Sequence, residues 1–383
     1  MKNVMLFLFA IIFLFTSMIM TYAEDVPAGL EIQAKSAILI DAMSGSVLFS
    51  QNAEERVQIA SVTKIMTMLL IMEAINAGKI TYDEQVTASD FACSMGGSQV
   101  YLEPGEQMSV KDMLKAIAVA SANDASVAMA EHVAGSAPAF INAMNKRAKA
   151  LDMKNTIFEN CTGLDTDGQY STAVDVAKMS RELIKHQGIL EYLTIWIDSL
   201  RNGEFGLSNT NRLIRFYPGA VGIKTGSTDE AKYCLSAAAT RNDLTLIAVV
   251  LAAETSDERF NETKKLLDYG FANYVMIKGA SKGEVIGTVT ISKGEQKQVE
   301  VITANDFKKI IKKEEKDNVE LKAAIPEYAL APIQQNQKIG ELLVFIGGKQ
   351  VGKVDLVAKN AVPRIKVWSM IVNILKIWAY AKR

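Results

Sequence analysis

Ser61 and Lys64 stand three residues apart in ASVTKIMTMLLIMEAINAGK (60–79), a run so apolar that an ammonium group at its start needs explaining. On a helix, positions i and i+3 lie on one face, so the amine comes within reach of the hydroxyl. A serine hydroxyl is a weak nucleophile until a neighbouring base takes its proton, and lysine is such a base only after losing its own. Burial in an apolar helix lowers a lysine from its ordinary value of about 10.4, and a second cation nearby lowers it further. The pair therefore points to a serine nucleophile activated by a buried lysine; the alternative is a capping serine beside a lysine that stretches to solvent. Two further stretches carry compatible groups. ASAND (120–124) sets the Ser121 hydroxyl and the Asn123 amide two residues apart, able to face one cleft from a tight turn, although Ser50-Gln51-Asn52 has the same pattern and the triplet alone carries no weight. GIKTGS (222–227) offers Lys224, Thr225 and Gly226 on a strand.

The elements that would position these groups are legible from periodicity. SAILIDAMSGSVLFSQN (36–52) has two short apolar stretches around Ser44-Gly45-Ser46, a hairpin pattern. The apolar helix spans 61–77 and stops at Gly78; helical spacing recurs over 111–134, 137–151, 171–186 and 257–275. GAVGIKTGS, KYCLSAAATR and LTLIAVVLAA are predicted strands, the last two joined by an Asn242-Asp243 turn that favours antiparallel pairing. An early hairpin, a helical middle and a late β meander closed by a helix make an α+β plan in which hairpin and meander share one antiparallel sheet.

From Gly279 the pattern changes to period-two alternation punctuated by glycine turns, which predicts a small all-β domain over 277–362 after a larger domain over 24–276. KKIIKKEEKD (308–317) is a charge run expected to form a solvated turn or short helix. Pro363 then opens a segment, 363–383, in which Val367, Trp368, Ile371, Ile374, Leu375 and Trp378 fall on one helical face and Lys366, Lys376 and Arg383 on the other. That distribution predicts a helix lying in a membrane interface; the alternative is a helix packed on the β domain.

Of 383 residues, 49% are apolar, which suits one large core and a smaller one and excludes disordered and fibrous classes. Residues 1–23 combine Lys2, an unbroken apolar stretch and small residues at Thr21 and Ala23, the pattern of a secretory signal peptide, with an uncut signal anchor as the alternative. Beyond them stand 41 basic and 43 acidic residues, a balance that offers no field for nucleic acid. Three scattered cysteines make no disulfide framework, allowing one bridge at most, and two histidines with no clustered Cys/His spacing argue against a metal site.

S-x-x-K, then S-x-N, then K-T-G in that chain order is the signature of penicillin-binding proteins and class A β-lactamases. The surrounding stretches NAEERVQIASVTKIMTMLLIMEAINAGKI, MGGSQVYLEPGEQMSVKDMLKAIAVASANDASVAMAEHVAGS, NTNRLIRFYPGAVGIKTGSTDEAKYC and ERFNETKKLLDYGF closely resemble low-molecular-weight penicillin-binding proteins that act as D-alanyl-D-alanine carboxypeptidases, in particular the Gram-positive, sporulation-associated type. The resemblance covers about 30–276, and the β domain and amphipathic tail match the family's plan. It implies an exported enzyme on the outer face of the cytoplasmic membrane, needing no cofactor, which removes the last D-alanine of a peptidoglycan stem peptide and is acylated by β-lactams. It implies Ser61 as nucleophile, Lys64 as base, Ser121 as proton relay between Lys64 and Lys224, and Asn123 as a holder of substrate and lysine. Lys224 and Thr225 would meet the terminal carboxylate, Gly226 would stay bare to let substrate lie along the strand, and Arg259 would assist. The N–H groups of Ser61 and Ser227 would form the oxyanion hole.

The chain departs from the family at Ser227, where a larger residue is frequent, and in FENCTGLDTDGQYSTA (158–173), with Cys161 for proline and Gln169 where histidine is common. A β-lactamase needs a base that drives water onto the acyl-enzyme, and no segment resembles that class's glutamate loop. A cross-link endopeptidase and a wall-binding protein without turnover are further alternatives on the same fold.

Overall fold

The strand LTLIAVVLAA is apolar without alternation because it is covered on both faces, as a central strand must be. In the computed structural model, which describes residues 30–366 together with Trp368 and Ile371, this strand, Leu244–Ala253, lies in the middle of a five-stranded antiparallel sheet. The order is Val47–Gln51, Ser36–Asp41, Leu244–Ala253, Lys232–Arg241, Ala220–Thr228, so the early hairpin and the late meander do meet in one sheet. Asn242 and Asp243 both adopt left-handed backbone (φ 49° and 64°), the conformation of a tight hairpin turn between two right-twisted strands. One face of the sheet packs against helix Ser256–Asn273; a Cβ on Gly270 would come within 2.4 Å of Leu246 and 2.9 Å of Leu39, so helix and sheet touch there backbone to side chain.

The other face carries the helical layer, centred on helix Lys64–Asn76, whose Ile65, Met66, Met68, Leu69 and Ile71 are wholly buried. Helices Asn123–Ala134, Ala137–Ala150 and Ala173–Leu183 surround it. The single helix predicted over 111–134 is in fact broken. Helix Val110–Lys115 widens into a π-helical turn, Ala116–Ala120, and the chain reverses at left-handed Ser121 (φ 62°, ψ 30°) before Asn123–Ala134 begins. Tertiary hydrogen bonds fix the break. The buried Asp124 carboxylate accepts from Val100 N (3.1 Å) and Leu102 N (3.1 Å), and Asn123 N donates to Ser98 O at 2.7 Å, so the 98–102 segment holds the new helix start.

Helix Ser256–Asn273 runs directly into strand Tyr274–Ala280, which pairs with Phe307–Lys312. The charge run at 308–317 is therefore half strand, with a 3-10 turn only over Lys313–Asn318; Ile311 is buried while lysines guard an exposed edge. A six-stranded sheet in the order Val319–Ala324, Lys338–Ile346, Lys349–Ala358, Gln298–Thr303, Val285–Ser292, Tyr328–Leu330 completes the β region around Val289, Val301, Leu342 and Leu356. The signal segment lies outside the described residues, as does the helix predicted over 363–383 apart from 363–366, which are not helical because Arg364 bridges Gly294 and Ile365 N donates to Lys293 O, and apart from Trp368 and Ile371. Those two are helical and exposed (76% and 42%), and no helix among the described residues is long and apolar enough to cross a membrane.

Candidate active site

Ser61 lies not on the α-helix itself but on a 3-10 turn, Ala60–Thr63, that feeds it. Three residues per turn eclipse positions i and i+3, which brings Ser61 over Lys64. Ala60 is left-handed (φ 47°), a conformation that costs a β-carbon residue on the order of 1–2 kcal/mol. Two glycines hold this turn from either side. A Cβ on Gly163 (φ 84°) would fall 1.9 Å from Ala60 O, and one on Gly226 would fall 2.8 Å from both Ile59 O and Ser61 N. The K-T-G strand is thus pressed against the nucleophile turn, which by itself requires Gly226 to be bare. The same contact places the Ser61 N–H beside the strand that carries Ser227.

Lys64 is fully buried, and its Nζ meets three acceptors: Asn123 Oδ1 at 2.6 Å, Thr162 O at 2.6 Å and Ser61 Oγ at 2.9 Å. Desolvation dominates its titration and brings its pKa down to about 7, against the weaker upward pull of Cys161 and Asp124. A neutral amine has two hydrogens and one lone pair. The Asn123 amide oxygen and the Thr162 carbonyl accept only, so they take both hydrogens and leave the lone pair for the Ser61 hydroxyl, which can then donate. The site thus holds the lysine in the orientation a general base requires.

Asn123 is fixed in turn, its Nδ2 donating to Gly96 O at 2.7 Å. Lys224 is buried, and its pKa lies well below the ordinary value, through desolvation first and then the nearby charges of Lys64 and Arg259. Its Nζ donates to Thr225 O at 2.9 Å; the Ser121 hydroxyl bonds to neither lysine in this structure. Thr225 Oγ1 shares a 2.6 Å hydrogen bond with Thr210 Oγ1, and Ser227 is exposed next along the strand. Arg259 is no surface cation: it is 6% exposed and donates to Gly226 O (3.1 Å), Cys234 O (3.4 Å) and Ser256 Oγ (3.2 Å), bracing the K-T-G strand. Burial holds its guanidinium down to about 10.

Residue types alone gave no role to the 159–169 loop, yet its backbone supplies one of the lysine's acceptors. Gln169 Oε1 accepts from Glu159 N (3.0 Å) and Asn160 N (3.1 Å); Asn160 Oδ1 accepts from Thr162 N (3.1 Å) and Gly163 N (2.6 Å). Thr67 Oγ1 donates to Cys161 O at 2.7 Å. These bonds hold the Thr162 carbonyl on Lys64. The available signal was FENCTGLDTDGQYSTA as a block, whose asparagine and glutamine are the staples. Cys93, Cys161 and Cys234 are free, and burial raises the Cys161 thiol to about 12, which suits a packing residue and not a nucleophile.

An antiparallel sheet with helices on both faces and a serine-lysine pair at a helix start, facing a K-T-G strand, defines the penicillin-binding protein and β-lactamase class. Comparison with known proteins narrows it. The family model described as D-alanyl-D-alanine carboxypeptidase, peptidase S11, matches residues 20–255, and that of the penicillin-binding protein 5 C-terminal domain matches 274–364. The chain is 46% identical over 332 residues to the D-alanyl-D-alanine carboxypeptidase DacF of Bacillus subtilis, covering 86% of this chain and 85% of that one. It is 35% identical over 361 residues to DacC of Escherichia coli, covering 92% and 90%. Among solved structures, penicillin binding protein 5 from Haemophilus influenzae superposes with a TM-score of 0.73 at 31% identity, covering 88% of this chain and 99% of that one. Penicillin-binding protein D2 from Listeria monocytogenes in its ampicillin-bound form gives 0.58 at 34% identity, covering 63% and 99%. The chain belongs to the D-alanyl-D-alanine carboxypeptidase family, and its activity is that of a serine-type D-alanyl-D-alanine carboxypeptidase.

Proposed function

We propose that Ser61 carries this activity through an acyl-enzyme, with neutral Lys64 as the base. The observation that supports it best is the Lys64 Nζ 2.9 Å from Ser61 Oγ, with Asn123 Oδ1 and Thr162 O placed to take the two hydrogens of the neutral amine. Ser61 Oγ attacks the carbonyl between the terminal D-alanines of a stem peptide as its proton passes to Lys64. The oxyanion sits on the N–H groups of Ser61 and Ser227, a donor pair of a kind whose loss costs about 10²- to 10³-fold. The C–N bond then breaks. Lys64 returns the proton to the leaving nitrogen, with Ser121, which bonds to neither lysine in this structure, drawn in by bound substrate as the relay. D-alanine departs, water gives a proton to Lys64 and attacks the ester, and Lys64 hands that proton to Ser61 Oγ as the shortened peptide is freed. Lys224, Thr225 and Arg259 bind the terminal carboxylate, and the substrate backbone extends the sheet along 224–227. A β-lactam enters by the same attack and opens its ring on Ser61, with no amine to diffuse away.

The proposed layout is a signal peptide over 1–23, the catalytic domain over 24–276, the β domain over 277–362 and an interfacial helix over 363–383. This places the enzyme on the outer face of the membrane, where its substrate is. Release of D-alanine from diacetyl-Lys-D-Ala-D-Ala, measured on native and Ser61→Ala protein, tests the assignment: release by the native chain alone is expected, and release by both overturns it.

A further inference from the structure

Edge strand Tyr328–Leu330 exposes two large apolar side chains on one face, Tyr328 at 66% and Leu330 at 60%. Its parallel register, Thr290 with Tyr328 and Ser292 with Leu330, puts both on the outer face, while Ala329, opposite Ile291, turns to the core. The path of the chain says what meets them. Ile365 N donates to Lys293 O at 2.9 Å and Arg364 pairs with Gly294, so the chain leaves the β domain one residue from Leu330's neighbour, Ser292. It leaves toward the amphipathic segment in which Trp368 and Ile371 stand exposed. The same corner is basic: Lys293, Lys297, Arg364 and Lys366 are exposed against Glu295 and Glu327.

We propose that Tyr328 and Leu330 form a second membrane contact, dipping into an anionic lipid interface beside the C-terminal helix. The inference rests on the reading of 363–383 as an interfacial helix. An aromatic ring with a polar tip and a neighbouring leucine, rimmed by lysines and arginine, match such an interface. A helix lying flat leaves the domain above it free to swivel; a second contact, already tethered, forms at high effective concentration and fixes the domain's tilt.

The test is co-sedimentation with vesicles of phosphatidylethanolamine and phosphatidylglycerol, using the native mature chain, Tyr328→Ser/Leu330→Ser, a chain ending at Lys366, and the control Ile197→Ser. Ile197 is as exposed (70%) but lies in the catalytic domain. The double variant is expected to lose at least about tenfold in partitioning, as two apolar side chains partly buried in the interface return to water, while its rate of acylation by benzylpenicillin and the control's binding stay native. A double variant that binds as the native chain does, while the truncated chain is released, overturns this inference and leaves the helix reading intact. Release of the double variant with retention of the truncated chain upholds the patch and removes the helix reading. Tighter binding by the double variant means that the tail itself packs on the strand, and overturns the proposal.

Discussion

The lowered pKa of Lys64 makes a quantitative demand on acylation. Only the neutral amine can accept the Ser61 proton, and desolvation sets its pKa at about 7. The neutral fraction of such a group is about 0.1 one unit below its pKa and about 0.9 one unit above. Between pH 6 and pH 8 the contribution of Lys64 to the second-order rate of acylation by benzylpenicillin therefore rises about tenfold and then levels. On the alkaline side the rate falls again before the ordinary lysine range, because Lys224, also depressed by burial and by the charges of Lys64 and Arg259, must keep its proton to bind a carboxylate. The two amines interact, so the limbs report the pair. Stopped-flow or quenched-flow acylation across pH 5.5 to 10 measures both limbs, and Lys64→Arg, which stays charged, removes the acid limb along with the rate. A rate that is flat from pH 6 to 9, or that falls as pH rises from 6 to 8, would refute the neutral-lysine argument.

Other predictions follow from the same contacts. Gly226→Ala places a Cβ 2.8 Å from Ser61 N and Ile59 O, so the strand moves off the nucleophile turn and the acylation rate drops about 10²-fold with the fold retained by circular dichroism; a native rate contradicts the contact. Gln169→Ala frees Glu159 N and Asn160 N, loosens the Thr162 carbonyl that favours the charged Lys64 amine and so lowers the apparent pKa of the acid limb, whereas a purely structural role would lower the rate without moving that pKa. Lys64→Met tests linkage. The folded-state pKa lies below the unfolded value, so the unfolded chain binds more protons between about pH 7 and 10.5 and the buried lysine costs most at the low end of that window. The stability of the native chain relative to Lys64→Met should thus improve by on the order of 2 kcal/mol from pH 7 to pH 9 in urea titrations; no change would place the lysine in a solvated site.

Ser61 and Lys64 were legible because a charge inside ASVTKIMTMLLIMEAINAGK violates the pattern around it, and functional sites are where such violations are expected. The sheet was legible because its strands alternate or run apolar according to how many faces they bury. The break at Ser121 was not. AIAVASANDASVAMAEHV keeps helical spacing straight through it, and only the bonds from Asp124 to Val100 N and Leu102 N, far along the chain, settle where the helix restarts. The Thr162 carbonyl was invisible for a different reason: every residue has one, and its place on Lys64 depends on Asn160, Gln169 and the close approach of Gly163. KKIIKKEEKD reads as solvated by composition, yet its first half is recruited as a strand by Tyr274–Ala280.

Intact mass of the soluble mature protein after brief exposure to benzylpenicillin, with Ser61→Ala in parallel, tests the central claim most directly. The account predicts one added penicilloyl group on the native chain, mapped to the peptide bearing Ser61, and none on the variant. An adduct on both proteins, or on neither while D-alanine is still released, would contradict it.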